Sequence, residues 1–264
     1  MAIRPKSPEA IEKMRRAGRT VAEVLARLEA MARPGVTTAE LDAEAARMAG
    51  ERGARSLFLG QPHPRGGRTY PGNICVSLNE ELVHGIPGPR KIAEGDVVSI
   101  DFGVRQDGWC ADAARTFAVG RVLPRVRRLL DVTAEALEIV RREARAGVLW
   151  SAVAGQIEDL VRKAGFSIVT EYVGHGIGRD MWEEPKVPNF VSRELLRHDW
   201  MLLEGMTLAV EPMVNLGRRE VREQEDGWTV VTCDGQPCAH FEDTFVIRPG
   251  GAEPLTRVTD DGKG

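Results

Sequence analysis

Two aspartates sit inside apolar runs where carboxylates are expensive. Asp101 lies in Val97-Val98-Ser99-Ile100-Asp101-Phe102-Gly103, and Asp112 follows in Trp109-Cys110-Ala111-Asp112. Asp107-Gly108 between them is a strong signal for a two-residue hairpin loop. With those residues as the loop, Gln106 pairs with Trp109 and Gly103 with Asp112. Both aspartates then share one face as diagonal neighbours, roughly 7–8 Å apart. Two like charges on an apolar hairpin are costly unless something neutralises them, and a cation between them is one answer. One buried, hydrogen-bonded Asp beside one solvated Asp is the other. These two residues alone leave both open.

Three further stretches carry polar groups of the same kind. Gly174-His175-Gly176-Ile177-Gly178 surrounds a histidine with glycines, which permit tight turns and close approach of a ligand to the backbone. Ala209-Val210-Glu211-Pro212-Met213 and Ala239-His240-Phe241-Glu242-Asp243-Thr244-Phe245 each set a glutamate in an apolar, strand-like run. Singly, each has an ordinary explanation: a structural histidine, or a glutamate on a wet face. Together, Asp101, Asp112, His175, Glu211 and Glu242 make four carboxylates and one imidazole, with few Lys or Arg flanking them. Two divalent cations meet that demand. Oxygen ligands with one nitrogen suit Mn, Fe or Co at least as well as Zn.

The elements that must position these residues come in a repeated order. Ser7 is an N-cap with Pro8 at the first helical position. Ile11, Met14, Ala17, Val21, Leu25 and Leu28 then draw one apolar stripe at three- and four-residue spacing. Pro34-Gly35 stops that helix. Thr37 or Thr38 caps a second one through Leu41, Ala45 and Met48, ending near Gly53. A loop at 60–72, rich in Gly and Pro, holds His63 and Tyr70. A strand at 74–78 and the aspartate hairpin, closing near Gly120, complete the first half. Helices at 125–145 and 150–164 and strand-like runs at 168–173, 207–214, 228–232 and 240–247 make the second. Two helices then antiparallel strands, done twice, predict an α+β protein. Its strands are expected to merge into one curved sheet backed by helices. The reading is a single catalytic domain over 1–264, with pseudo-symmetric halves at about 8–120 and 121–250.

Composition bounds the function. The chain has 264 residues, 42% hydrophobic and 28% charged, ordinary for a globular protein. A net charge of −3 argues against a general nucleic-acid or membrane-surface role. Cys75, Cys110, Cys233 and Cys238 form no Cys-x-x-Cys pair, so neither a zinc ribbon nor a thioredoxin-like motif is offered. No signal peptide and no apolar span long enough for a bilayer is read, which sets a reducing cytoplasm as the expected location.

In order and spacing these residues resemble the type I methionine aminopeptidases, a family with the pita-bread fold. The likeness runs from about Pro8 to Arg248. It is most specific at Cys75-Val76-Ser77-Leu78-Asn79-Glu80, at His84-Gly85-Ile86-Pro87, from Gly95-Asp96 through Asp112, and over 174–178, 205–215 and 226–245. The resemblance implies that Asp101, Asp112, His175, Glu211 and Glu242 ligate two divalent metal ions, with Asp101 and Glu242 bridging both. It implies that His84 contacts the scissile amide and that Trp228, with Tyr70 and Cys75, lines an apolar pocket for the methionine side chain. The family's eukaryotic N-terminal zinc-binding extension is not seen, which fits the short bacterial form. The implied activity is removal of N-terminal methionine. A water held between two divalent ions is a nucleophile at neutral pH. Glu211 would take a proton and pass it to the leaving amine. Implied partners are the N-terminal peptides of nascent proteins and, as a candidate, the ribosome; a monomer without nucleic-acid or membrane binding is expected.

One departure bears on catalysis. The family keeps a second histidine directly before Glu-Glu-Pro, donating to the substrate carbonyl. Here Met181-Trp182-Glu183-Glu184-Pro185 puts Trp182 in its place. Losing such a donor typically costs about 10²–10³ in turnover. Period-2 alternation points His240 to the face of Glu242, so His240 either reaches the substrate carbonyl instead or only orients Glu242 or a ligand water. The 60–72 loop is longer than the family's, which bears on the pocket lining. The alternatives to methionine removal are a related metallopeptidase for another N-terminus, such as Xaa-Pro, and a homologue that binds N-terminal peptides without cleaving them.

Overall fold

The computed structural model describes residues 4–258. Helix α1 (Pro8–Met31) starts where Ser7 Oγ accepts the Ala10 N–H at 3.3 Å, and its predicted stripe from Ile11 to Leu28 is buried. Helix α2 (Thr38–Glu51) opens on a reciprocal capping box between Thr37 and Glu40, and buries Leu41, Ala45 and Met48. In the second half, α3 (Pro124–Glu143) and α4 (Trp150–Lys163) repeat the pair. Both begin after a leucine with no side-chain cap, so their apolar faces, rather than capping, hold them.

Each helix pair covers its own strands. Leu25, Leu28 and Leu41 pack with Ile74, Ile100, Phe102 and Val104. Leu137, Val140, Trp150 and Ile157 pack with Leu208, Val210, Phe245 and Ile247. The aspartate hairpin, Val97–Gln106 with Trp109–Ala118, has the predicted register: Gln106 faces Trp109 and Gly103 faces Asp112. Cys75–Leu78 lies on its other edge, with Cys75 opposite Asp101.

Three strand expectations are corrected. The run at 168–173 supplies only the short strand Ser167–Ile168. The run at 207–214 divides into Thr207–Val210 and Met213–Asn215, because Pro212 has no N–H to give a ladder. The run at 240–247 divides likewise into Cys238–His240 and Asp243–Arg248. The strands accordingly fall into four hydrogen-bonded groups rather than one continuous sheet.

The two breaks face each other. Met213 pairs with His240 before them and Val210 with Asp243 after them, so both chains leave one sheet for another at one level. The seam between the halves runs beside them. Ala114, opposite Asp101 in the hairpin, also bridges Glu242: the Glu242 N–H donates to Ala114 O at 2.9 Å and the Ala114 N–H to Glu242 O at 3.2 Å. Thr116 Oγ1 donates to His240 O at 2.6 Å and accepts the His240 N–H at 3.0 Å.

Candidate active site

The seam assembles the predicted carboxylates. Laterally paired residues of a sheet point to the same face, so Cys75, Asp101, Ala114 and Glu242 form one row across it. Asp112, two residues before Ala114, shares that face. A Cβ on Gly103 opposite it would meet Asp112 Oδ1 at 2.8 Å, so glycine leaves that carboxylate its position. His175 arrives from Gly174–Gly176, where a register irregularity follows it, as bulges do when they re-aim a side chain. The glycines flanking His175 have a different reason from the one expected. A Cβ on Gly174 would lie 2.3 Å from Ala209 O, and one on Gly176 2.2 Å from Glu184 O. They admit neighbouring strands, not a ligand.

Glu211 and Glu242 converge because each sits at a strand break, free of the alternation that would otherwise fix its direction. His175 Nε2 lies 3.8 Å from Glu211 Oε1, and His240 Nε2 lies 3.9 Å from a carboxylate oxygen of both Glu211 and Glu242. One ligand atom each from Asp112, His175 and Glu242 falls within 4.8 Å of the others.

The electrostatics of this cluster are unbalanced. Burial, then the charges of Asp112 and Glu211, hold the Asp101 carboxyl well above the usual range. Burial, then neighbouring carboxylates, does the same to Glu211 and Glu242. Asp112 is pushed up to about 7, chiefly by burial. Burial depresses His175, and takes His240 down to about 3. Among the described residues no Lys or Arg pairs with any of the four carboxylates; Arg115, which reaches the Glu242 carbonyl, is committed to Asp243 at 2.6 Å. Asp101 Oδ1, Asp112 Oδ1, Glu242 Oε1 and His240 Nε2 are buried without a hydrogen-bond partner. Buried acceptors left unpaired in a group are a strong penalty that a divalent cation removes. The donor set fits such ions.

A cavity of about 310 Å³ opens from the cluster. Its apolar end is built by Phe58, Tyr70 and Cys75, with Met181 and Trp228 packed against them. The Tyr70 hydroxyl turns away, donating to Gly85 O at 2.8 Å and Ile74 O at 3.1 Å, so its ring faces the cavity. His84 lines the wall with positive φ (60°), its ring edge-on to Tyr172 at 5.8 Å and to Trp228 at 6.3 Å. Burial lowers it to about 4, so it is a neutral imidazole at pH 7. Trp182 lines the mouth. His240 does not line the cavity; it is buried behind Glu211 and Glu242, a place that favours orienting the carboxylates over touching substrate.

Several wall residues lie outside the motifs of the sequence. Phe58 and Tyr172 give no signal beyond being aromatic. The 60–72 loop folds back at its neck, where the Gly60 N–H donates to Tyr70 O and the Tyr70 N–H to Gln61 O. Its tip crosses the cavity: Arg65 pairs with Glu223, His63 meets the Trp228 ring edge-on at 4.9 Å, and Trp228 Nε1 donates to Arg68 O at 3.1 Å. The length of this loop is the sequence feature that supplies the roof.

An apolar pocket beside a carboxylate-rich, cation-requiring centre defines a metallopeptidase site, and the sequence profile of metallopeptidase family M24 matches residues 12–249. The chain belongs to that family. Within it, the chain is similar to methionine aminopeptidase 1 of Bacillus subtilis, with 43% identity across 96% of this chain and 98% of the relative. It is 42% identical to methionine aminopeptidase of Escherichia coli K12, covering 99% and 96%. The crystal structure of methionine aminopeptidase from Thermotoga maritima superposes with a TM-score of 0.91 and 39% identity, covering 97% of this chain and all of that one.

Proposed function

We infer that this protein is a methionyl aminopeptidase, a metal-dependent hydrolase that removes the N-terminal methionine of proteins and peptides. The observation that carries this reading is the joining of the cation-requiring cluster to a closed apolar pocket in one cavity. Full-length likeness to methionine aminopeptidases supports it. Asp101, Asp112, His175, Glu211 and Glu242 would hold two divalent ions, of Mn, Fe, Co or Zn. When bound, such ions supply Lewis acidity and lower the pKa of water, giving a nucleophile at neutral pH.

The chain's own residues do the rest. Phe58, Tyr70, Cys75 and Trp228 take the unbranched thioether side chain by apolar contact, and the roof from the 60–72 loop keeps water out. His84, neutral at working pH, offers one ring nitrogen as donor and the other as acceptor beside the scissile amide. Glu211 moves a proton from the attacking water to the leaving amine, the role its raised proton affinity suits. His240 orients Glu211 and Glu242. Trp182 has an indole N–H where the family's histidine would stand. It stands toward solvent and carries no proton charge, so the substrate carbonyl lacks that donor and turnover is reduced.

The whole chain is read as one catalytic unit, acting as a monomer in the cytoplasm on nascent chains, with the ribosome as the site of encounter. Among the described residues no helix is long and apolar enough to cross a membrane. Release of methionine from Met-Ala-Ser by the protein loaded with Mn, Co or Fe tests the function. Cleavage of Xaa-Pro peptides in its place, or tight peptide binding with no release under any metal, would replace it by one of the alternative readings.

A further inference from the structure

Among the described residues, Trp182 is the one large apolar side chain of the cavity wall that stays open to solvent. It is 55% exposed, while Phe58, Tyr70 and Cys75 are buried. Its ring lies edge-on to His175 with centroids 6.5 Å apart, and its N–H makes no hydrogen bond to any described residue. The turn that presents it is anchored. Glu183 accepts from the Arg179 N–H at 2.9 Å, pairs with Lys6, and packs where a Cβ on Gly178 would stand. An indole on an anchored turn with an exposed face is a platform without a load.

The load follows from the direction of the substrate. The first side chain fills the closed apolar end, so the scissile bond lies at the carboxylate cluster and the remaining peptide leaves through the mouth. Extended chain advances about 3.4 Å per residue, so the 6.5 Å from His175 to Trp182 is about two residues. We propose that Trp182 is a specificity-determining residue that stacks on the third residue of the substrate and selects peptides with an aromatic or large apolar side chain there. This rests on the aminopeptidase reading and deepens it. The substitution that removes a polar donor from the centre adds apolar recognition at the rim. Covering about 55 Å² of apolar surface, shared between the indole and a partner side chain, is worth about a tenfold preference.

The metal-loaded protein is tested with Met-Ala-Gly-Gly and Met-Ala-Phe-Gly, together with their non-cleavable reduced-amide analogues. The wild type is expected to favour the Phe peptide about tenfold in kcat/KM, through KM rather than kcat, and to bind its analogue about tenfold more tightly by calorimetry. Trp182→Ala should bring both ratios to about one, and Trp182→Phe should keep most of the preference. Equal ratios in wild type and Trp182→Ala, or no preference in the wild type, would overturn the proposal. If the wild type releases no methionine from either peptide, the aminopeptidase reading fails, while the two analogue affinities still decide the role of Trp182.

Discussion

Removing the metal should leave a protein whose stability falls as pH rises through neutrality. Asp101, Glu211 and Glu242 have carboxyls held well above their ordinary values, and Asp112 is pushed up to about 7, each chiefly by burial. In the unfolded chain all four ionise near pH 4. A folded-state pKa above the unfolded one gives stability that is complete below pH 4 and lost as pH climbs to the folded value. His84 at about 4, His240 at about 3 and His175, also depressed, work in the opposite sense. Their contribution is lost as pH falls through about 6.5, so from pH 4 to about 7.5 the two sets oppose each other. Above about pH 7.5 the histidines are neutral in both states, and the carboxylates are the main groups still titrating. Each proton retained by the fold then weakens it by about 1.4 kcal/mol per pH unit, so by about 1.4 kcal/mol between pH 7.5 and 8.5. Urea unfolding of chelator-treated protein across that interval should show this slope, steeper if two protons are retained. Metal-loaded protein should show none, since ligation requires the ionised forms. A metal-free stability that is flat or rises from pH 7.5 to 8.5 would refute the account of the cluster as carboxylates awaiting cations.

Trp182→His restores a donor that can carry charge, and kcat on Met-Ala-Ser should rise by at least about tenfold; an unchanged kcat would show that the substrate carbonyl is served by another group. His240→Ala removes an imidazole that supports two carboxylates, so divalent-ion affinity measured by calorimetry should weaken by about 10–100-fold. If affinity holds and kcat falls instead, His240 touches substrate. Asp243 is fully buried and accepts from Arg115 at 2.6 Å and from Thr256 and Arg257 at 2.8 Å. Asp243→Ala should cost about 3–5 kcal/mol in denaturant unfolding, because two guanidinium groups lose their shared partner; a loss under about 1 kcal/mol would show that solvent replaces it.

Local chemistry made part of this architecture legible. Asp107-Gly108 dictates a loop, the loop dictates the register, and the register alone puts Asp101 and Asp112 on one face. The α1 stripe and the Thr37–Glu40 box are equally local. Glu211 and Glu242 were found as carboxylates in apolar runs, yet the reason they meet lies in two opposed strand breaks. Pro212 hints at one break; nothing local to Phe241-Glu242 announces the other. The Ala114–Glu242 bridge joins residues far apart in the chain, so no periodicity encodes it. His240 illustrates the limit of alternation. The expected direction toward Glu242 is right, but the break at Phe241 puts the imidazole behind the carboxylates and off the cavity wall.

The seam has a consequence for dissecting the molecule. Asp101, Asp112 and His84 belong to the first half, while His175, Glu211, Glu242 and Trp228 belong to the second. The chain crosses between them once, through 119–123, where Gly120 and Leu123 are exposed. A backbone cut there would sever no residue of the cluster and leave each fragment its own helix pair and core. Neither fragment could assemble the divalent-ion centre by itself. Metal uptake would therefore become a reporter of fragment reassociation, and the ion a clamp whose affinity measures how well two separately made pieces recognise each other.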